Sequence, residues 1–209
     1  MTYLLNRELY CKIELKSSFM DREPKKIRAA LVGVGRWGRE LLRELNRQIE
    51  LEWCVHNGSA ETIDFLASNY PDLPQTTDYL EILNKEEINA VFIATPTNTH
   101  FNLVQQALMA NKHVFVEKPG SETSQELSRL CQLAKIRKLC LAVGYEFPHH
   151  SASKKIEQLL RTEKIRSIIS QWFKWGTFDN HAVPHLLSHE ISILQAWELG
   201  PLQPKKYHQ

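Results

Sequence analysis

The stretch Ile27-Arg28-Ala29-Ala30-Leu31-Val32-Gly33-Val34-Gly35-Arg36-Trp37-Gly38 decides the fold. A short apolar run ends at a glycine, and three glycines then follow the spacing G-x-G-x-x-G. Leu41, Leu42 and Leu45 come next at helical spacing, so the glycines occupy a turn from a strand into a helix. Each has a physical task. Gly33 permits the tight turn, Gly35 lets the backbone approach a pyrophosphate, and Gly38 allows close packing of helix on strand. The pyrophosphate rests on unpaired N–H groups at the positive end of the helix. Arg36 and Trp37 fill the intervening positions and count with the glycines as cofactor-binding. Alone, this spacing is equally a glycine-rich turn. Its place between strand and helix, with further strand–helix units behind it, makes it a dinucleotide loop.

Those units continue along the chain. Leu51 to Val55 reads as a strand and Ala60 to Asn69 as a helix. Asn89 to Ala94 is another apolar run, followed by a helix through Leu103, Ala107 and Leu108. His113 to Val116 is a strand, Ser121 to Arg137 a helix and Leu139 to Val143 a strand. Apolar strands alternating with amphipathic helices predict an α/β fold, a Rossmann doubly wound parallel sheet covered on both faces. After Gly144 the pattern changes. Ser153 to Thr162 looks helical, Ile165 to Trp175 reads as one long strand, and Pro184 to Leu199 as a helix stopped by Gly200-Pro201. This region predicts a short, incomplete α+β second domain. The expected division is an N-terminal extension over 1–26, a dinucleotide-binding domain over 27–146 and a second domain over 147–209.

Bulk properties narrow the function. The 209 residues carry 26 Lys and Arg against 24 Asp and Glu, a net charge of +2 with both signs mixed, so no basic stripe offers a nucleic-acid footprint. No apolar run approaches the roughly 18 residues that span a membrane, and the N-terminus lacks the pattern of a signal peptide. Cys11, Cys54, Cys131 and Cys140 stand apart from one another, with no C-x-x-C pair. Isolated cysteines without a secretion signal point to a reducing cytoplasm.

About 20 residues beyond the glycine loop, the second strand of such domains commonly ends in an acid that holds the ribose hydroxyls. Here that turn reads Val55-His56-Asn57-Gly58-Ser59, with His56 in the acid's place. A carboxylate would repel a 2′-phosphate, whereas His56, Asn57 and Ser59 can donate to one. The expected cofactor is NADP or NAD, with a slight preference for NADP.

Three further segments carry a family resemblance: Phe92-Ile93-Ala94-Thr95-Pro96-Thr97-Asn98-Thr99-His100, Asn111-Lys112-His113-Val114-Phe115-Val116-Glu117-Lys118-Pro119, and Val143-Gly144-Tyr145. With the glycine loop, in this order and spacing, they resemble the glucose–fructose oxidoreductase / inositol dehydrogenase (Gfo/Idh/MocA) family over about residues 27–200. The resemblance implies an NAD(P)-dependent oxidoreductase that moves a hydride between the nicotinamide and a sugar, inositol or related polyol. It implies that Lys118 is catalytic and that Pro119 follows a cis bond. It also implies that Thr95 and Pro96 line the cofactor, with Asn98 and His100 in the same segment. Glu117 would lie near the nicotinamide ribose and Tyr145 near nicotinamide and substrate. The chemistry is sensible by itself, because an alcohol loses a proton as its hydride leaves, and a lysine or histidine can take it.

A fourth segment, His185-Leu186-Leu187-Ser188-His189-Glu190-Ile191-Ser192, falls where the family often has D-x-G-x-H-x-x-D. His189 matches the family's histidine, a second acid/base candidate. His185 and Ser192 stand where aspartates are common, and His185 is a candidate for substrate contact. His181, His185 and His189 recur every four residues, which leaves open a shared metal, a substrate-facing pair or simply packed histidines; no metal is expected, since Pro184 should begin the helix and leave His181 outside it. Family members usually carry a large sheet after the Rossmann domain, so 147–209 looks truncated, or completed by a second copy or another subunit. The alternative function is a non-catalytic, nucleotide-binding regulatory protein or subunit of the same family.

Overall fold

The computed structural model describes residues 26–163, 167–169, 171 and 182–197, with only the backbone for 182–187. The N-terminal extension before Lys26, His181, the basic tail and all but four positions of the long strand expected over 165–175 lie outside them. The described residues fall into two compact units, one ending at Gly144 and one opening at Tyr145.

The first unit is a six-stranded parallel sheet of β1 (Arg28–Val32), β2 (Glu50–Val55), β3 (Gln75–Thr76), β4 (Ala90–Ile93), β5 (His113–Val116) and β6 (Leu141–Val143), in the order β3-β2-β1-β4-β5-β6. The order reverses between β1 and β4. In open α/β sheets, the crevice beyond the strands' carboxyl ends at such a reversal is where ligands bind. Helices α1 (Arg36–Gln48), α2 (Ala60–Asn69), α3 (Tyr79–Asn84), α4 (Thr97–Met109) and α5 (Ser124–Arg137) connect the strands.

The two faces of β1 show why the sheet is covered twice. Ala29 and Leu31 pack with Leu42 and Leu45 of α1 and Leu66 of α2. Ala30 and Val32, pointing the other way, join Val104 and Leu108 of α4 and Leu130 of α5. The period-two alternation of a strand thus feeds two separate cores, which is why β1 is apolar along nearly its whole length.

Local chemistry sets the element ends, and it moves two of the expected boundaries. The helix anticipated from Ser121 starts at Ser124, because Thr123 caps it: its hydroxyl accepts from Glu126 N–H while the Glu126 carboxylate accepts from Thr123 N–H. The strand anticipated from Leu139 starts at Leu141, because Lys138 turns left-handed at φ 56° and Leu139 N–H donates back to Ala134 O, closing α5.

The second unit opens with a 3₁₀ turn over Phe147–His149, then α6 (Ser151–Leu159) and α7 (Ala182–Ala196). The helix expected to begin at Pro184 begins at Ala182, which leaves Pro184 still within its first turn, where its missing N–H costs nothing. Trp197 Nε1 donates to Ser153 O at 3.2 Å and lies 3.0 Å from Ser153 Oγ, tying the end of α7 to the start of α6. No helix among the described residues is long and apolar enough to cross a membrane.

Candidate active site

The glycine loop is built as its spacing requires. Gly33 has φ +95°, and a Cβ there would meet Ala94 O at 2.7 Å and Thr95 Cγ2 at 2.8 Å. A Cβ on Gly38 would lie 2.0 Å from Gly33 O, so the start of α1 presses directly on the turn. Gly35 differs from both: a Cβ on it would meet nothing within 4 Å. It caps α1 without any side-chain hydrogen bond, and the first turn of the helix holds no acid. Among the described residues no acceptor takes up the first N–H donors of this helix, and they open onto a cleft of about 1110 Å³ at the switch point, lined by Gly33, Gly35, Arg36, His56, Asn57, Thr95 and Pro96 among others. A bare backbone, unspent donors and open space fit a dinucleotide pyrophosphate. Trp37 is exposed beside this loop rather than buried in it.

The turn after β2 departs from its sequence reading in one respect. His56 lines the cleft but is nearly buried, and both ring nitrogens are occupied: Nδ1 accepts from Gly58 N–H at 3.0 Å, and Nε2 faces Gln75 Oε1 at 3.0 Å. A ring that accepts at Nδ1 carries its proton on Nε2, so His56 donates to Gln75 and not to a 2′-phosphate. Ser59 is likewise committed as the cap of α2 through Thr62. Asn57 Oδ1 accepts from Ser59 N–H at 3.2 Å, and among the described residues its amide nitrogen has no partner. Burial alone perturbs two nearby groups: the Cys54 thiol, in the core beneath the turn, is pushed up to about 12, and the phenol of Tyr79, which lines the cleft and donates to Leu103 O at 3.0 Å, is also raised.

Lys118 and Glu117 follow β5 on the same carboxyl edge of the sheet, beyond the part that lines this cleft. The Lys118–Pro119 bond is cis. The Glu117 carboxylate accepts from Lys118 N–H at 3.2 Å and sits where a Cβ on Gly144 would come within 3.1 Å of it. The same Cβ would come within 2.9 Å of Phe115 Cζ, so a side chain at position 144 would crowd both Phe115 and Glu117.

His100, grouped by sequence with the cofactor-binding residues, is buried behind the cleft, 1% exposed, and is not among the residues that line it. Its Nε2 lies 2.8 Å from Thr95 O and its Nδ1 2.8 Å from Pro119 O. The ring braces the Thr95-Pro96 turn, which lines the cleft, against the turn that carries Lys118. Asn98 lies exposed in the first turn of α4, outside the cleft lining.

Tyr145 opens the second unit directly after Gly144. In that unit His189 is buried, its ring edge-on to Phe147 with centroids 4.8 Å apart. Ser192 is buried too, its hydroxyl donating to His189 O at 2.7 Å. His185 lies one turn earlier on α7. Among the described residues no group of three His, Cys, Asp or Glu side chains is placed to hold a metal ion.

Comparison with known proteins agrees with this geometry. Residues 27–145 match the Gfo/Idh/MocA oxidoreductase family, described by its NAD-binding Rossmann fold. An uncharacterized oxidoreductase of Bacillus subtilis is 30% identical over 144 residues, 68% of this chain and 42% of that protein. A dTDP-3,4-didehydro-2,6-dideoxy-alpha-D-glucose 3-reductase of Streptomyces violaceoruber is 38% identical over 90 residues, 43% of this chain and 26% of that one. The solved structure of a UDP-N-acetylglucosamine 3-dehydrogenase from Acidithiobacillus ferrooxidans superposes with a TM-score of 0.58 at 27% identity, covering 64% of this chain and 43% of its own. The chain thus spans less than half the length of these proteins. The match across 27–145, with the glycine cradle in place, shows that the chain belongs to the Gfo/Idh/MocA family of oxidoreductases with an NAD-binding Rossmann fold.

Proposed function

We propose that this chain is an NAD(P)-dependent oxidoreductase transferring a hydride between a nicotinamide cofactor and a sugar, inositol or related polyol or keto-sugar. The observation that carries the reading is the brace through His100, which ties the turn bearing Lys118 to the turn lining the dinucleotide cleft. The family match and the relatives named as sugar reductase and sugar dehydrogenase support it.

The dinucleotide, when bound, supplies the hydride acceptor. The chain's own part is to hold and to move a proton. The α1 N-terminus and Gly35 seat the pyrophosphate. The Lys118 amine takes the proton of the substrate hydroxyl in oxidation and returns it in reduction, with Glu117 fixing the backbone of the turn beneath it. His189 is proposed as the second acid/base group. The test is a screen of polyols with NAD(P) and of keto-sugars with NAD(P)H, using the full chain. Turnover on any of them supports the reading, and dinucleotide binding with no turnover across the screen defeats it.

A second reading, a nucleotide-binding regulatory protein of the same family, is favoured by one observation. Ser192, at a position where the family commonly has an aspartate, is buried and spends its hydroxyl on its own helix.

For the cofactor, we propose that NADPH binds at least as tightly as NADH. No carboxylate ends β2, and the Asn57 amide is available. His56→Asp is expected to reverse the preference, through repulsion of the 2′-phosphate, by about tenfold or more. Paired fluorescence titrations with NADPH and NADH check this. A wild-type chain that strongly prefers NADH would refute it.

A further inference from the structure

With His56 and Ser59 committed to other partners, the cleft needs another group to decide which adenosine ribose it accepts. One wall of it supplies a candidate. Arg39, one turn into α1, lies with its guanidinium carbon 4.4 Å from the centre of the Phe65 ring, and its Nη2 pairs with Glu61 Oε1 at 2.8 Å. Both residues line the cleft with His56 and Asn57. Glu61 stands in the first turn of α2, five positions beyond His56. The carboxylate missing from the end of β2 therefore enters the cleft from the next helix.

Two properties make this pair exchangeable. The Glu61 side chain is 81% exposed and that of Arg39 27%, so water competes for the carboxylate while the guanidinium stays on its aromatic shelf. The pairing also leaves Arg39 incompletely satisfied, because its Nε is buried and has no acceptor among the described residues. A guanidinium presents five donors in a planar fork, and a phosphate with three oxygens and nearly two negative charges matches that fork better than one carboxylate oxygen does.

We propose that Arg39 is the residue that admits a 2′-phosphate on the adenosine ribose, and that Glu61 is the anion it gives up to do so. With NAD the Arg39–Glu61 pair stays closed. With NADP the guanidinium exchanges Glu61 for the phosphate, still seated on Phe65. Arg36, three residues earlier on α1, forms no ion pair among the described residues and adds positive field to the same cleft. The proposal rests on the dinucleotide reading of that cleft, and on no catalytic step.

The test uses the full chain and two fragments of the cofactor, 2′,5′-ADP and ADP, with affinities measured by calorimetry at fixed ionic strength. The quantity read is the ratio of the two affinities. Arg39→Gln is expected to lower the ratio for 2′,5′-ADP at least about tenfold, with Arg39→Lys recovering part of the loss. Glu61→Gln, an exposed change that leaves the fold intact, is expected to raise the ratio by roughly threefold or more, since Arg39 then has no competing carboxylate. A ratio unmoved by Glu61→Gln, or lowered by it, overturns the proposal even if Arg39→Gln fails to fold. Binding of both nucleotides with an unmoved ratio removes only the role of this pair. Failure of the wild-type chain to bind either nucleotide removes the dinucleotide reading and the proposal together.

Discussion

Replacing Lys118 by Met is expected to cut turnover at least about 100-fold while affinity for the reduced dinucleotide changes little. Lys118 sits on the cis turn after β5, outside the residues that line the dinucleotide cleft, so removing its amine leaves the glycine cradle untouched. On the proposed mechanism, what is lost is the group that takes or returns the proton as the hydride moves. Methionine keeps most of the side chain's length and volume, so the effect reports the amine and not the packing. Steady-state kinetics on a substrate found by screening, paired with a fluorescence titration of NADPH, separates the two quantities. His189→Ala is expected to lower turnover by a comparable or smaller factor. Turnover that survives Lys118→Met intact would sink the mechanism, whatever the cofactor affinity.

Gly35→Val is expected to abolish dinucleotide binding, by about 100-fold or more, in a chain that still folds. The backbone there has φ −73° and ψ −169°, an extended conformation that valine adopts without strain. Its Cβ has nothing within 4 Å, so the fold has room for a side chain that is expected to occupy the path of the pyrophosphate. Gly38 gives the opposite result. A Cβ placed 2.0 Å from Gly33 O cannot be accommodated, so even Gly38→Ala should damage the fold itself. Thermal unfolding together with NADPH titration distinguishes the two: the Gly35 variant melts near wild type and does not bind. An unchanged affinity in Gly35→Val would mean that this loop is not the phosphate site.

Where the sequence was legible, strong periodicity made it so. The helix read over Ala60–Asn69 and the strand over His113–Val116 match the observed bounds, because each has a polar stop at both ends and an unambiguous pattern between. Two elements have no periodic pattern to read. β3 is two residues long, too short to alternate, and α3 is six residues whose buried contribution is Ile82 and Leu83. The available signal for α3 was Asp78, whose carboxylate accepts from Leu80 N–H at 2.9 Å and caps the helix. Missing β3 had a cost at the site, because Gln75 on that strand is what engages His56. From residue type alone, His56 is a free donor; only its neighbour in space shows otherwise. Glu61 is illegible for a related reason: an acid is expected at the end of β2, whereas the cleft gathers its charge from two helices. The brace by His100 was out of reach as well, since Thr95 and Pro119 flank it in space but belong to different crossovers.

The strand order carries a consequence for how the chain reaches this state. β1 and β2 are joined by a single helix, but β1 meets its other neighbour across a much longer span: Arg28 N–H donates to Asn89 Oδ1, 61 residues on. Loop closure grows costlier with length, and non-local parallel pairings are slow to form. The Gly33 turn packs on Ala94, and Thr95 and Pro96 wall the cleft, so the cleft is complete only once β4 has docked. A nascent chain that has emerged only through α3 displays the whole glycine fingerprint but lacks that wall. A ligand of the complete cleft is expected to stabilise the finished domain, by mass action on the native state, more than the partly emerged one.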